Sequence, residues 1–102
     1  ILADYFYHAG ISYKYEHPLF LRKFGIIYPD FTFLSKKTGK EIYWEHDGMM
    51  DDTIYVPNAI KKIEAYEKND IFPGERLILT FETSQSVLRN DIIETMVEKY
   101  IL

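Results

Sequence analysis

The chain has 102 residues, 47% of them hydrophobic, with nine tyrosines, seven phenylalanines and no cysteine. That supplies apolar surface for one core, excludes disulfide scaffolds and thiolate metal sites, and favours a cytoplasmic location. A formal net charge of −4 argues against a broad electrostatic grip on nucleic acid, although cations cluster at Arg22-Lys23, Lys36-Lys37-Lys40 and Lys61-Lys62. No apolar run approaches the length of a membrane span, so no membrane partner is expected. The chain opens inside an apolar pattern without an initiator Met, charged leader or cleavage site, which reads as a single domain over 1–102 cut from a longer protein.

Residues 1–9, ILADYFYHA, place apolar side chains at helical spacing and stop at Gly10. ISYKYEH then alternates until Pro18, as a strand with one polar face does. A linker is expected through Gly25. IIYPDFTFL and EIYWEHD flank SKKTGK, whose Gly39 can take the positive φ of a hairpin loop. In DDTIYVPNAIKKIEAYEKND, Pro57 suits a first helical turn, and Ile60, Ile63 and Tyr66 line one face of a helix of about three turns. FPGE turns into RLILTFE, a run that reads as a central strand covered on both faces. Asn90 then caps a helix with Ile92, Ile93, Met96, Val97 and Tyr100 at helical spacing, a stripe broad enough to serve a homodimer. The predicted order is α-β-β-β-α-β-α, with the last strand parallel to part of the antiparallel meander.

Hairpin register decides where the carboxylates fall. A four-residue loop over 36–39 pairs Phe33 with Ile42, Phe31 with Trp44 and Asp30 with Glu45, whereas a three-residue loop slips the pairing by one. Only the first register keeps Phe31 and Phe33 on one face with Ile42 and Trp44. It also sets Asp30 against Glu45, with Asp47 further along the same face, and opposed like charges destabilise a sheet. A divalent cation, Mg²⁺ or Mn²⁺, would offset that repulsion. So would solvent at a hairpin end, or pairing with Lys61, Lys62 or Arg76.

Pro29-Asp30 resembles the first signature of the PD-(D/E)XK nuclease superfamily, and Glu45-His46-Asp47 stands where its (D/E)XK tripeptide falls on the next strand. YWEHDG, MMDD and KKIEAYEKNDIFPGERLILTFET together are similar to a bacterial and phage group carrying this core, and EHDG resembles the ExDG segment of Vsr-like members. The resemblance implies an α/β (α+β) fold with a restriction-endonuclease-like core, a mixed central sheet flanked by helices. It implies a Mg²⁺- or Mn²⁺-dependent nuclease acting on nucleic acid, DNA in the first place, with Asp30 and Glu45 as catalytic metal-holding residues; Asp47, further along the same face, is read beside them as a water-mediated metal partner. Asp47 stands where the motif has its water-activating Lys, so the substitute is sought on the following helix, with Lys62 first and Lys61 second. The family's carboxylate from the first helix has only Asp4 to match it or else precedes Ile1, and Glu16 on the neighbouring strand is a substitute that reads equally as an exposed strand end. The rival reading is a catalytically inactive module of the same fold that binds nucleic acid or protein.

His46, on the face opposite Glu45, reads as a hydrogen-bonded, half-buried residue rather than a ligand. Asp51 and Asp52 read equally as outer-sphere metal partners or as charges at a helix N-terminus. Thr83 and Gln85 read as phosphate contacts or turn residues. No Ser-His-Asp arrangement, glycine-rich phosphate loop or zinc signature is present.

Overall fold

Helix α1 (Leu2–His8) begins a computed structural model that describes residues 2–102; Ile1, part of the first predicted helix, lies outside them. Leu2 and Phe6, one turn apart, are buried, and Gly10 at φ +70° ends the turn that follows. Strand β1 keeps only Lys14–Tyr15 of the predicted alternating run, because Glu16 bends the chain at φ +48° just before Pro18.

The expected linker is a second small sheet. β2 (Leu19–Leu21) and β3 (Gly25–Ile27) pair antiparallel, Leu19 opposite Ile27 and Phe20 opposite Ile26. IIYPDFTFL is therefore two strands: Pro29, which has no N–H to give a ladder, separates β3 from β4 (Phe31–Leu34). Between β4 and β5 (Glu41–Asp47) the register is the four-residue-loop register, with Phe31 opposite Trp44 and Phe33 opposite Ile42. The Ser35 N–H donates to the Lys40 carbonyl at 2.9 Å, and Gly39 takes φ +72° in the loop.

Helix α2 (Tyr55–Lys68) is 14 residues long, closer to four turns than three, with Pro57 in its first turn. Its packing face is rotated from the predicted one: Ala59, Ala65 and Tyr66 are buried, while Ile60 is exposed. β6 (Leu77–Phe81) runs parallel to β5, as expected of the strand after the crossover, but the sheet order is β1-β4-β5-β6. Among the described residues β6 is thus an edge, and β4 and β5 are the interior strands. Its apolar run reports helices on both faces, a property that does not require a neighbour on both sides. In α3 (Asn90–Tyr100), Asn90 is the first helical residue and Arg89 holds the cap position, with no side-chain capping bond.

These elements make a three-layer α+β arrangement around a mixed sheet. On one face Phe6 of α1 meets Phe31, Phe33 and Trp44 edge-on, with ring centroids 4.8–5.2 Å apart, and Ile93 and Val97 of α3 complete the core. On the other face Tyr66 and Ala65 of α2 pack with Tyr43, Leu77, Leu21 and Ile27, so the β2–β3 hairpin roofs the same side as α2. Much of α3's apolar stripe is spent on the core, though Ile92 remains exposed. Among the described residues no helix is long and apolar enough to cross a membrane.

Candidate active site

The α2 face of the sheet carries Tyr43, Glu45 and Asp47 at alternate positions of β5, and the last two are buried carboxylates. Glu45 is held from above by α2. Tyr66 donates its hydroxyl to Glu45 Oε2 at 2.6 Å, and Lys62, one turn earlier, places Nζ 3.4 Å from Oε1. Burial pushes the Glu45 pKa up, Tyr66 and Lys62 pull it back, and the charge of Asp30 pushes it up again. The Tyr66 hydroxyl, buried against that carboxylate, is itself shifted upward and stays a donor.

Asp30 follows the buried Pro29 at the mouth of β4, where the ladder continued one residue past Phe31 and Trp44 sets it against Glu45. Its Oδ2 accepts the His46 backbone N–H at 2.7 Å, taking the place of a strand carbonyl. Among the described residues its second oxygen has no hydrogen-bond donor. Asp47 Oδ1 accepts from the Tyr55 hydroxyl at 2.9 Å, and burial with this bond pushes the Tyr55 pKa up to about 12.

Of the residues singled out from sequence, Glu45, Asp47 and Lys62 lie together on the α2 face, while Asp30, at the strand end opposite Glu45, also lines a cavity with His46 and Glu82 on the other side of the sheet. The predicted pairing with Lys62 is realised, whereas Arg76 turns to the Glu41 carbonyl and the Tyr43 ring. Lys61 is exposed and lines a groove with Arg22, Lys23 and Phe24, away from the carboxylates. Glu16 is exposed; its backbone N–H reaches the Asp30 carbonyl at 3.3 Å, and its charge raises the pKa of its neighbour Tyr15. Asp4 is exposed on α1. Asp51 accepts from the Ser84 N–H and hydroxyl, Asp52 from the N–H groups of Ile54 and Tyr55 entering α2, and Thr83 from the Gln85 N–H. Those bonds are loop and helix-entry chemistry.

Three contributors were not identified from sequence: the hydroxyls of Tyr66 and Tyr55, and a chain on the opposite face. There Trp44 Nε1–H donates to Thr80 Oγ1 at 3.0 Å, Thr80 lies 2.7 Å from His46 Nδ1, and His46 Nε2 lies 2.9 Å from Glu82 Oε1. With Glu82 ionised and acceptor-only, Nε2–H of His46 donates to it, and in that tautomer Nδ1 accepts from the Thr80 hydroxyl. Glu82 Oε2 also takes the Leu88 N–H at 2.6 Å, the main reason its pKa lies low. His46 is the half-buried, hydrogen-bonded residue its position suggested.

Among the described residues, no group of three or more His, Cys, Asp or Glu side chains is placed to hold a metal ion together. A small divalent cation takes one or two protein carboxylates and completes its shell with water and phosphate. Among the described residues Asp30 has an oxygen without a donor to offer such an ion, while on Glu45 Lys62 stands by Oε1 and Tyr66 by Oε2. Comparison with protein families, with curated proteins and with solved structures finds no match.

Proposed function

We propose that the chain is a metal-dependent nuclease domain with a restriction-endonuclease-like core, hydrolysing phosphodiester bonds at the Asp30–Glu45–Lys62 cluster. With the β2–β3 hairpin set aside, the element order α1-β1-β4-β5-α2-β6 is the order the resemblance implies. The observation that carries the reading is the 3.4 Å approach of Lys62 Nζ to Glu45 Oε1: a lysine from the following helix stands beside the tripeptide whose own lysine is replaced by Asp47.

Asp30 and Glu45 would hold Mg²⁺ or Mn²⁺, which when bound supplies acidity to a water and positive charge to the scissile phosphate. Lys62 Nζ, 37% exposed along its side chain, hydrogen-bonds the attacking water and a non-bridging phosphate oxygen. Water oxygen forms the new bond to phosphorus as the bond to the leaving oxygen breaks; the water gives up one proton to solvent, and the leaving oxygen takes one from solvent. Tyr66 fixes the Glu45 carboxylate, and Tyr55 fixes Asp47 beside it.

The experiment is cleavage of single- and double-stranded DNA and RNA with Mg²⁺ or Mn²⁺ by wild type, Asp30→Asn and Glu45→Gln. Loss of at least about a hundredfold in either variant is expected. Cleavage that survives either change removes the proposed site. Oligonucleotide binding without cleavage in wild type favours the inactive binding module, a reading supported by the protein partners already present on both Glu45 oxygens.

A further inference from the structure

We infer that the groove between the β2–β3 hairpin and α2 is a track for single-stranded nucleic acid, holding phosphates with lysines and arginine and stacking a base on Phe24. The inference rests on the nucleic-acid reading above but uses other residues. The groove has a volume of about 270 Å³ and is lined by Arg22, Lys23, Phe24, Lys61, Glu64 and Lys68. Four of the chain's twelve cations therefore meet one carboxylate there, on a molecule whose net charge is −4. Lys61, Glu64 and Lys68 share one face of α2 by their spacing of three and four. A local positive field of this kind fits a polyanion.

The hairpin adds what a purely electrostatic patch lacks. Its inner residues Leu21 and Ile27 are buried against α2, and Phe24, in the turn that joins the two strands, stands at the groove 50% exposed. Aromatic faces beside cations stack on unpaired bases, whereas paired bases in a duplex offer no free face.

The groove is also rigidly built. Asn69 at the C-terminus of α2 accepts the Arg22 backbone N–H at 2.8 Å and its Nε–H at 3.2 Å through Oδ1. It donates through Nδ2 to the Arg22 carbonyl at 3.3 Å and the Ala65 carbonyl at 2.9 Å. The Arg22 backbone and the start of its side chain are thus fixed relative to α2 before any ligand arrives, which lowers the ordering cost of binding.

The test is fluorescence anisotropy with labelled single-stranded DNA and RNA of about twelve nucleotides, in EDTA and at several salt concentrations. Under these conditions the metal site is silent, so binding reports on the groove and cleavage assays report separately on the nuclease. Wild type is expected to bind, and Phe24→Ala to weaken binding about tenfold with an unchanged salt slope. Lys61→Ala with Lys68→Ala should flatten the slope of log affinity against log salt by about 1.4. These positions are exposed, and thermal melts verify that the variants fold. Absence of binding, or equal affinity in wild type and variants, overturns the inference. So does capture by anionic lipid vesicles without oligonucleotide binding, or a wild-type dimer that Phe24→Ala dissociates while oligonucleotides are ignored.

Discussion

Lys62 keeps 37% of its side chain in solvent while Glu45 keeps 5%, so removing the lysine strands the buried partner. Breaking a fully buried ion pair costs about 3–5 kcal/mol. The exposure of Lys62 and the 3.4 Å separation reduce that to about 1 kcal/mol for Lys62→Met near pH 7. At acid pH Glu45 is protonated and the loss shrinks, because a neutral carboxyl no longer needs the ammonium. Urea denaturation near pH 7 and near pH 4 measures this, and an equal loss at both would sink it. Tyr66→Phe removes a 2.6 Å bond to the same carboxylate, and a bond to a charged acceptor contributes about 2 kcal/mol. Its melting temperature should fall, with Glu45 driven further toward its protonated form. Glu45 and Asp30 were legible because strand alternation and loop length fix register. Tyr66 was legible only as an apolar helix residue, since its hydroxyl acquires a partner 21 positions away only when α2 lands on the sheet.

At the scale of elements, the β2–β3 hairpin was hidden by its own brevity. Three-residue strands beside Pro18 and Gly25 present the composition of a linker, and no alternation can be counted over so few positions. What makes the hairpin an element is tertiary: Leu21 and Ile27 bury against α2, and Asn69 holds Arg22. Asn69→Ala should therefore act locally. Hydrogen exchange over 19–27 is expected to quicken about tenfold, while β4 and β5 keep their protection. Uniform acceleration across the sheet would show instead that the hairpin is not a separable unit. β6 was misplaced for a related reason. Apolar continuity reads how many faces are covered, whereas lateral neighbours depend on chain path, so an edge strand between α2 and α3 carries a central strand's pattern.

For the whole molecule, pH stability should record two opposing sets of carboxylates. Glu82 and Asp51 have lowered pKa values, the first chiefly from the Leu88 N–H and the second from Ser84, so they stabilise the fold above the ordinary carboxyl range and lose that contribution as pH falls. Glu45 works in the other direction. Its unfolded form releases a proton near 4.5 and its folded form later, so between those points the native state holds more protons and stability falls as pH rises. Glu45→Gln removes that slope while keeping an oxygen for the Tyr66 hydroxyl. The variant should therefore match wild type in acid and exceed it by about 1 kcal/mol at neutral pH, as replacement of a buried charge by a neutral group commonly does. Denaturation curves taken from pH 4 to 7.5 would show the gap opening as pH rises; a variant that falls below wild type at neutral pH would mean that Lys62 and Tyr66 outweigh burial. Adding Mn²⁺ completes the experiment. A cation held by Asp30 and Glu45 binds the ionised site, so it should raise wild-type stability more at neutral than at acid pH, by about 2.7 kcal/mol at a hundred times its dissociation constant. The same addition should leave Glu45→Gln unmoved, and an equal rise in both proteins would place the cation elsewhere.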